Sequence, residues 1–141
     1  MPQNIPQFNT QTEQRVIPQA VKLDERLKAE LLSQIQEEAM VVVHCSYKAD
    51  IEIGIRIWSS TVLIDQQSGD RSRMLHAFNV TVAPMWMLVE AGTTARFTLI
   101  FSSLPKTCEF FTLYEDIPEP NGFEIKNIRR NKSDVYHVKL V

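Results

Sequence analysis

Alternation of apolar and polar side chains runs through most of this chain, and it is cleanest in Asp50-Ile51-Glu52-Ile53-Gly54-Ile55-Arg56-Ile57-Trp58. Ile51, Ile53, Ile55 and Ile57 fall on one side of an extended segment, with Glu52 and Arg56 on the other. Successive side chains of a strand point to opposite faces, so a period of two predicts a half-buried β-strand and does not fit a helical repeat. Segments of similar character recur at 39–47, 61–65, 74–82, 85–90, 95–101, 109–115, 123–128 and 134–141. Turn-forming runs separate them: Gln67-Ser68-Gly69-Asp70, Ala91-Gly92-Thr93, Leu104-Pro105-Lys106 and Glu119-Pro120-Asn121-Gly122. Short strands at this spacing, with no helices between them, predict a mostly β fold. The expected form is an antiparallel sandwich of seven to nine strands over residues 40–141 rather than a βαβ arrangement. The expected inward set is Val41, Val43, Ile53, Ile55, Ile57, Leu63, Leu75, Trp86, Phe97, Leu99, Phe101, Leu113, Ile125, Val135 and Val138. A one-residue slip in register would turn any of these to the opposite face.

The period changes ahead of the strands. Between residues 21 and 38, Leu23, Leu27, Leu31 and Ile35 step by four with Leu32 beside them, and charged residues fill most of the remaining positions. This predicts one amphipathic helix, with acidic residues near its start where the helix dipole favours them. The leucine stripe serves either to dock on the parent sheet or to meet another chain. Residues 1–18 hold three of the chain's seven prolines and no periodicity, so 1–20 is read as an extended or disordered arm before a single domain at 21–141. Ile5, Phe8, Val16 and Ile17 are the anchors such an arm would offer to a neighbouring subunit.

At 141 residues, one ordinary domain can bury a core without staples. A net charge of -2 gives no global attraction to nucleic acid or anionic membrane. Two cysteines, Cys45 and Cys108, are too few for a disulfide framework and are expected to be reduced thiols. The N-terminal stretch has no apolar signal region, and no run approaches the roughly 20 apolar residues that a membrane-spanning helix needs. A cytoplasmic location is the corresponding expectation.

The run Arg96-Phe97-Thr98-Leu99-Ile100-Phe101, followed by Leu104-Pro105 and then Phe111-Thr112-Leu113-Tyr114-Glu115, resembles part of a pattern found in small immunoglobulin-like accessory domains. In that pattern an apolar-polar-aromatic strand is followed by a Leu-Pro turn and a strand with a Leu-x-Glu edge. The resemblance implies an immunoglobulin-like β-sandwich acting as an accessory or binding module, and it carries over no site residue. The Cys, Trp, Cys core of antibody domains is not matched, because Cys45 and Cys108 flank Trp58 and Trp86 at different spacings.

Motifs that carry chemistry are scarce. His44, His76 and His137 fall in three different candidate strands, and the adjacent His44 and Cys45 face opposite sides of a strand. A metal site would have to be assembled in space from His44 or Cys45 with His76 or His137. Only four glycines are present, with no nucleophile elbow and no phosphate-cradling loop. Glu115, Asp116 and Glu119 surround two prolines, which suits a rigid acidic loop better than a calcium loop. Lys126, Arg129, Arg130 and Lys132 form a basic cluster that suits a solvated turn, a protein contact or a phosphate contact. In Met85-Trp86-Met87-Leu88-Val89 both strand faces are apolar, so the strand is expected either to be buried on both sides, by the second sheet and by the helix, or to expose one face to another chain.

No catalytic residue, cofactor or metal is therefore expected. The expected function is a non-enzymatic protein-interaction or assembly module, forming a homo-oligomer or a subunit of a larger complex. Its candidate contacts are Phe8, Ile17, Leu23, Leu27, Leu31 and Ile35, with Lys126, Arg129, Arg130 and Lys132. The alternatives are a small hydrolytic or metal-dependent enzyme with a His/Asp/Glu/Cys site, and nucleic-acid binding through residues 126–132. Neither nucleic acid nor a membrane is the expected partner.

Overall fold

The computed structural model describes residues 25–140. The arm at 1–20, with Phe8 and Ile17, and Leu23 of the helical stripe lie outside the described residues. The described chain opens with α1 (Glu25–Glu38) and continues with β1 (Val41–Lys48), β2 (Ile53–Ile55), β3 (Thr61–Asp65) and β4 (Arg71–Phe78). Then come β5 (Met87–Val89), β6 (Thr94–Phe101), β7 (Phe110–Glu115), β8 (Glu124–Arg129) and β9 (Val135–Leu140). Seven strands make one sheet in the order β8-β7-β3-β4-β6-β1-β9, while β2 and β5 form a separate two-stranded ribbon.

The large sheet curls until it is nearly closed. Phe111 on β7 and Tyr136 on β9 lie five strand positions apart, yet their rings meet edge to face with centroids 4.9 Å apart. In a flat sheet that separation would be about 24 Å, from a strand spacing of roughly 4.8 Å. The interior is filled by Val41, Val43, Leu63, Phe97, Leu99, Phe101, Phe111 and Leu113, all on the concave face.

The expectation of an all-antiparallel arrangement is corrected at one junction. β9 runs parallel to β1, pairing Val42 with Val135, His44 with His137 and Ser46 with Lys139, so the sheet is mixed. Two further corrections concern faces. Leu75 and Val135 pack outside the barrel, with Met40, Val42 and Ile100. Val135 precedes the inward Tyr136. In β4 a register shift between Met74 and His76 lets Met74 and Ala77 both pack against the interior, which strict alternation forbids.

The segment with the purest alternation forms the shortest kind of strand. Only Ile53–Ile55 pairs, with β5. Ile57 leaves for the core, held by Ile57 N–H to Thr81 O at 2.9 Å and Ala83 N–H to Ile57 O at 2.8 Å. Ile51 lies beyond both partners and is 69% exposed. One stretch of sequence thus serves two neighbours, and no continuous strand can do that.

Helix α1 docks on the convex face, where Leu31 and Ile35 pack against Met40, Val42 and Ile100. It packs there and not on β5, so the expectation that the helix covers that strand is corrected, and Leu88 is left 56% exposed. No helix among the described residues is long and apolar enough to cross a membrane.

Candidate functional site

The end of the barrel where β1, β7 and β9 finish opens into a pocket of about 580 Å³. Core residues Ile57, Val80 and Phe97 contribute to its lining, as do Ile53, Ile55, Ile117, Phe123 and Leu140. Its polar groups are Arg56, Glu115, Glu119, Asn121 and the Tyr47 hydroxyl.

Arg56 is the centre of this site. Its guanidinium carbon sits 3.8 Å from the ring centroid of Trp86 and 5.2 Å from that of Trp58. Cations over aromatic faces are held by the ring quadrupole, and a desolvated pair contributes about 2 kcal/mol. Nη1 donates to Pro84 O at 3.0 Å, and Nη2 stands 4.0 Å from Glu119 Oε2. Nε is buried and has no hydrogen-bond acceptor. Gly54 explains how Trp86 reaches this position. A Cβ added there would stand 3.3 Å from the ring atom Cε3, so the indole lies against bare backbone.

Glu115 ends β7 and is buried. Burial raises its carboxyl above the ordinary carboxylate range, and the Glu119 charge pushes the same way. Hydrogen bonds from the Phe123 and Trp58 backbone and the charge of Arg56 oppose the shift without cancelling it.

The acidic loop is occupied by structural contacts. Asp116 pairs with Arg71 at 3.1 Å, and its carbonyl accepts from the Ser60 hydroxyl at 2.6 Å. Among the described residues no group of three or more His, Cys, Asp or Glu side chains is placed to hold a metal ion.

The four residues of the basic cluster have different surroundings. Arg130 is locked at the far end of the barrel, donating to Asp134 Oδ1 at 2.6 Å, to Asp134 Oδ2 at 3.1 Å and to Pro105 O at 2.7 Å. The Tyr136 hydroxyl donates to Asp134 Oδ1 in turn, and burial is the main reason its own pKa is pushed up to about 12. Arg129 lies over the Phe110 ring at 5.8 Å, while Lys126 and Lys132 are exposed. Of the helical stripe, Leu31 and Ile35 are turned into the sheet, and Leu27 is 42% exposed.

Both cysteines are free and buried. Cys45 faces the core, and burial pushes its thiol up to about 12, so it shares no site with the outward His44. His76 stacks on Phe78. His44 and His137, however, are neighbours on the convex face, with ring centroids 4.9 Å apart. Sequence reasoning offered His44 with His137 as one of several pairings that only the fold could bring together, and it did not identify the Arg56, Trp58 and Trp86 cluster. The pair depends on a parallel pairing across 93 residues of chain, and the cluster on two segments 28 residues apart. The one sequence signal for the cluster is Gly54, the glycine that falls within a candidate strand instead of a turn.

The chain matches no family model, no curated protein and no solved structure.

Proposed function

We propose that this chain is a non-enzymatic protein-interaction module that receives an extended segment of a partner at the open end of its barrel. The observation that carries this reading is the convergence of both tryptophans on Arg56 in a pocket lined mainly by aliphatic and aromatic side chains. Tryptophan and arginine dominate binding energy at protein interfaces, above all where they border desolvated pockets. Met85 and Leu88, 42% and 56% exposed, extend the apolar rim along the neighbouring ribbon. That ribbon has two strands only, so an incoming strand can add to its outer edge.

The immunoglobulin-like reading draws support from the strand neighbours. Within the one curled sheet, β8-β7-β3 and β4-β6-β1-β9 are two runs of neighbours, and the connections from β6 to β7 and from β8 to β9 pass from one run to the other. A cytoplasmic setting belongs to the same proposal, supported by two unpaired buried thiols. The partner is a protein chain, and a second copy is the first case to test.

The test is light scattering over a concentration series, on the full chain, on a chain starting at Val21 and on Trp86→Ala. It is joined by selection of displayed peptides against the full chain. Self-association, or a selected peptide that changes tryptophan fluorescence, should be weakened at least about tenfold by Trp86→Ala. A monomer that selects no peptide sensitive to Trp86 overturns the reading.

A second reading, acid–base catalysis, rests on Glu115, whose raised pKa in a pocket is a feature shared with catalytic acids. Glu115→Gln separates the two: partner binding persists in a binding module, and turnover of any substrate is abolished in an enzyme.

A further inference from the structure

The convex face of the barrel carries a second site, distinct from the pocket at its open end. On β1 the inward residues are Val41, Val43 and Cys45, so His44 and Ser46 face outward. Register extends each of them into a row across three strands. Thr98, His44 and His137 form one row, and Arg96, Ser46 and Lys139 form the next. Together they line a groove of about 480 Å³, with Asn79 beside them and no carboxylate among the lining residues.

The neighbouring row, Ile100, Val42 and Val135, lies beneath α1. The face therefore passes within two residues from helix-covered and apolar to open and cationic. Arg96 and Lys139 are exposed, and neither side chain takes part in an ion pair or hydrogen bond among the described residues. His44 Nδ1 stands 2.8 Å from the Thr98 hydroxyl, which fixes the ring.

We propose that this two-row array binds the tetrahedral oxyanion of a small phosphate or sulfate ester. The oxyanion is held between the His44–His137 pair and the Arg96–Lys139 charges, with the Ser46 and Thr98 hydroxyls as further donors. Charge-assisted hydrogen bonds from guanidinium, ammonium and imidazolium are the strong ones for such groups. The groove volume falls in the range of small-ligand sites.

The two histidines repel each other when charged. After burial, the charge of His137 is the second cause that lowers the pKa of His44. The other basic groups near this face are Arg96 on β6, Lys139 on β9, Lys48 at the end of β1, and His76 on β4, which stacks on Phe78 beside Thr98. A bound dianion relieves that repulsion, so anion binding and histidine protonation strengthen each other by linkage.

The experiment uses inorganic sulfate, which stays a dianion across the pH range, against chloride at matched ionic strength, on the full chain. Proton NMR of the imidazole Cε1–H signals follows His44 and His137 from pH 5 to 8. Sulfate should move the His44 midpoint upward, bind several-fold more tightly at pH 5.5 than at pH 8, and lose about tenfold in affinity in Arg96→Gln/Lys139→Gln. Both substitutions are at exposed positions, and an unchanged thermal midpoint without sulfate confirms that the variant is folded. A phenyl phosphate titration should reproduce the shifts at lower concentration than sulfate, since an ester adds contacts in the groove. Histidine signals that ignore sulfate, or a sulfate response unchanged in the double variant, overturn the proposal. So does a response to Zn²⁺ alone, which would make the pair a cation site, or an oligonucleotide that binds where phenyl phosphate does not.

Discussion

Two buried carboxylates of this protein are displaced in opposite directions, and the difference lies in their donors. Asp65 is buried, which by itself pushes its pKa up. Hydrogen bonds from the Gln67 and Ser68 backbone, the Ser68 hydroxyl and the Cys108 thiol together outweigh that effect and hold the carboxyl below its ordinary value. Because the folded state binds this proton more weakly than the unfolded chain does, Asp65 contributes stability above its ordinary pKa and loses it as pH falls through the folded value. Asp65→Ala should cost about 2–3 kcal/mol at pH 7, and less at pH 2.5, closer to where the folded carboxyl takes up its proton. Urea midpoints at the two pH values check this.

Glu115 is the reverse case. Its folded pKa is raised, so the folded state holds the proton more tightly, and stability falls as pH rises from its ordinary 4.5 through the folded value. Each unit of displacement corresponds to about 1.4 kcal/mol. Glu115→Gln should therefore raise the thermal midpoint at pH 7.5 and leave it nearly unchanged at pH 4, as calorimetry would show. A variant less stable at pH 7.5 would mean that the charged carboxylate is the favoured form.

At the scale of elements, the loop between β7 and β8 decides whether the pocket keeps its shape. Glu115 N–H donates to Phe123 O at 2.9 Å, and between them Gly122 passes so close that an added Cβ would stand 2.6 Å from the Glu115 carbonyl oxygen. That neighbour is backbone and cannot rotate away. Gly122→Ala should cost about 1–3 kcal/mol through forced backbone movement, measured by urea denaturation. It should also alter tryptophan emission, because Phe123 and Ile117 share the pocket with Trp58 and Trp86. β8 shows a different device at the sheet edge. Asn127 adopts φ 62°, the register shifts opposite Phe111 and Leu113, and the Gln66 side chain fills the gap, accepting from Asn127 N–H at 2.6 Å. A bulged, charged edge strand resists pairing with another sheet. Association through the ribbon is thus favoured over association through β8.

For the whole molecule, closure of the sheet depends on aromatic contact across the interior. Phe110 and Phe111 are consecutive in sequence, yet Phe111 is fully buried against Tyr136 and Phe110 is 38% exposed. Phe111→Ala should cost about 3–5 kcal/mol, because it opens a cavity where β7 meets β9. Phe110→Ala should cost less than about 1 kcal/mol. Equal losses in the two variants, read from urea midpoints, would contradict the curled arrangement.

Strand content was legible in the sequence because it depends on local pattern. Thr61–Asp65, a short β-branched and aliphatic run followed by a turn, forms β3 with the bounds expected, and the Gly69 and Gly92 turns adopt the positive φ that glycine permits. The amphipathic stripe of Leu31 and Ile35 likewise reported a helix that docks. Partner choice was not legible. The isoleucines at 51–57 read as one strand because alternation records which side of a segment is apolar, and it carries no information on which segment will bond to its edge. Tertiary structure divided that run between β5 and the core, set β9 parallel to β1 and so placed His137 beside His44. It also brought Trp86 onto Gly54 and Arg56. Both candidate sites are made by such long-range pairings. Hydrogen bonds between strands are satisfied by any backbone of suitable geometry, so only the packing of the whole interior selects among them.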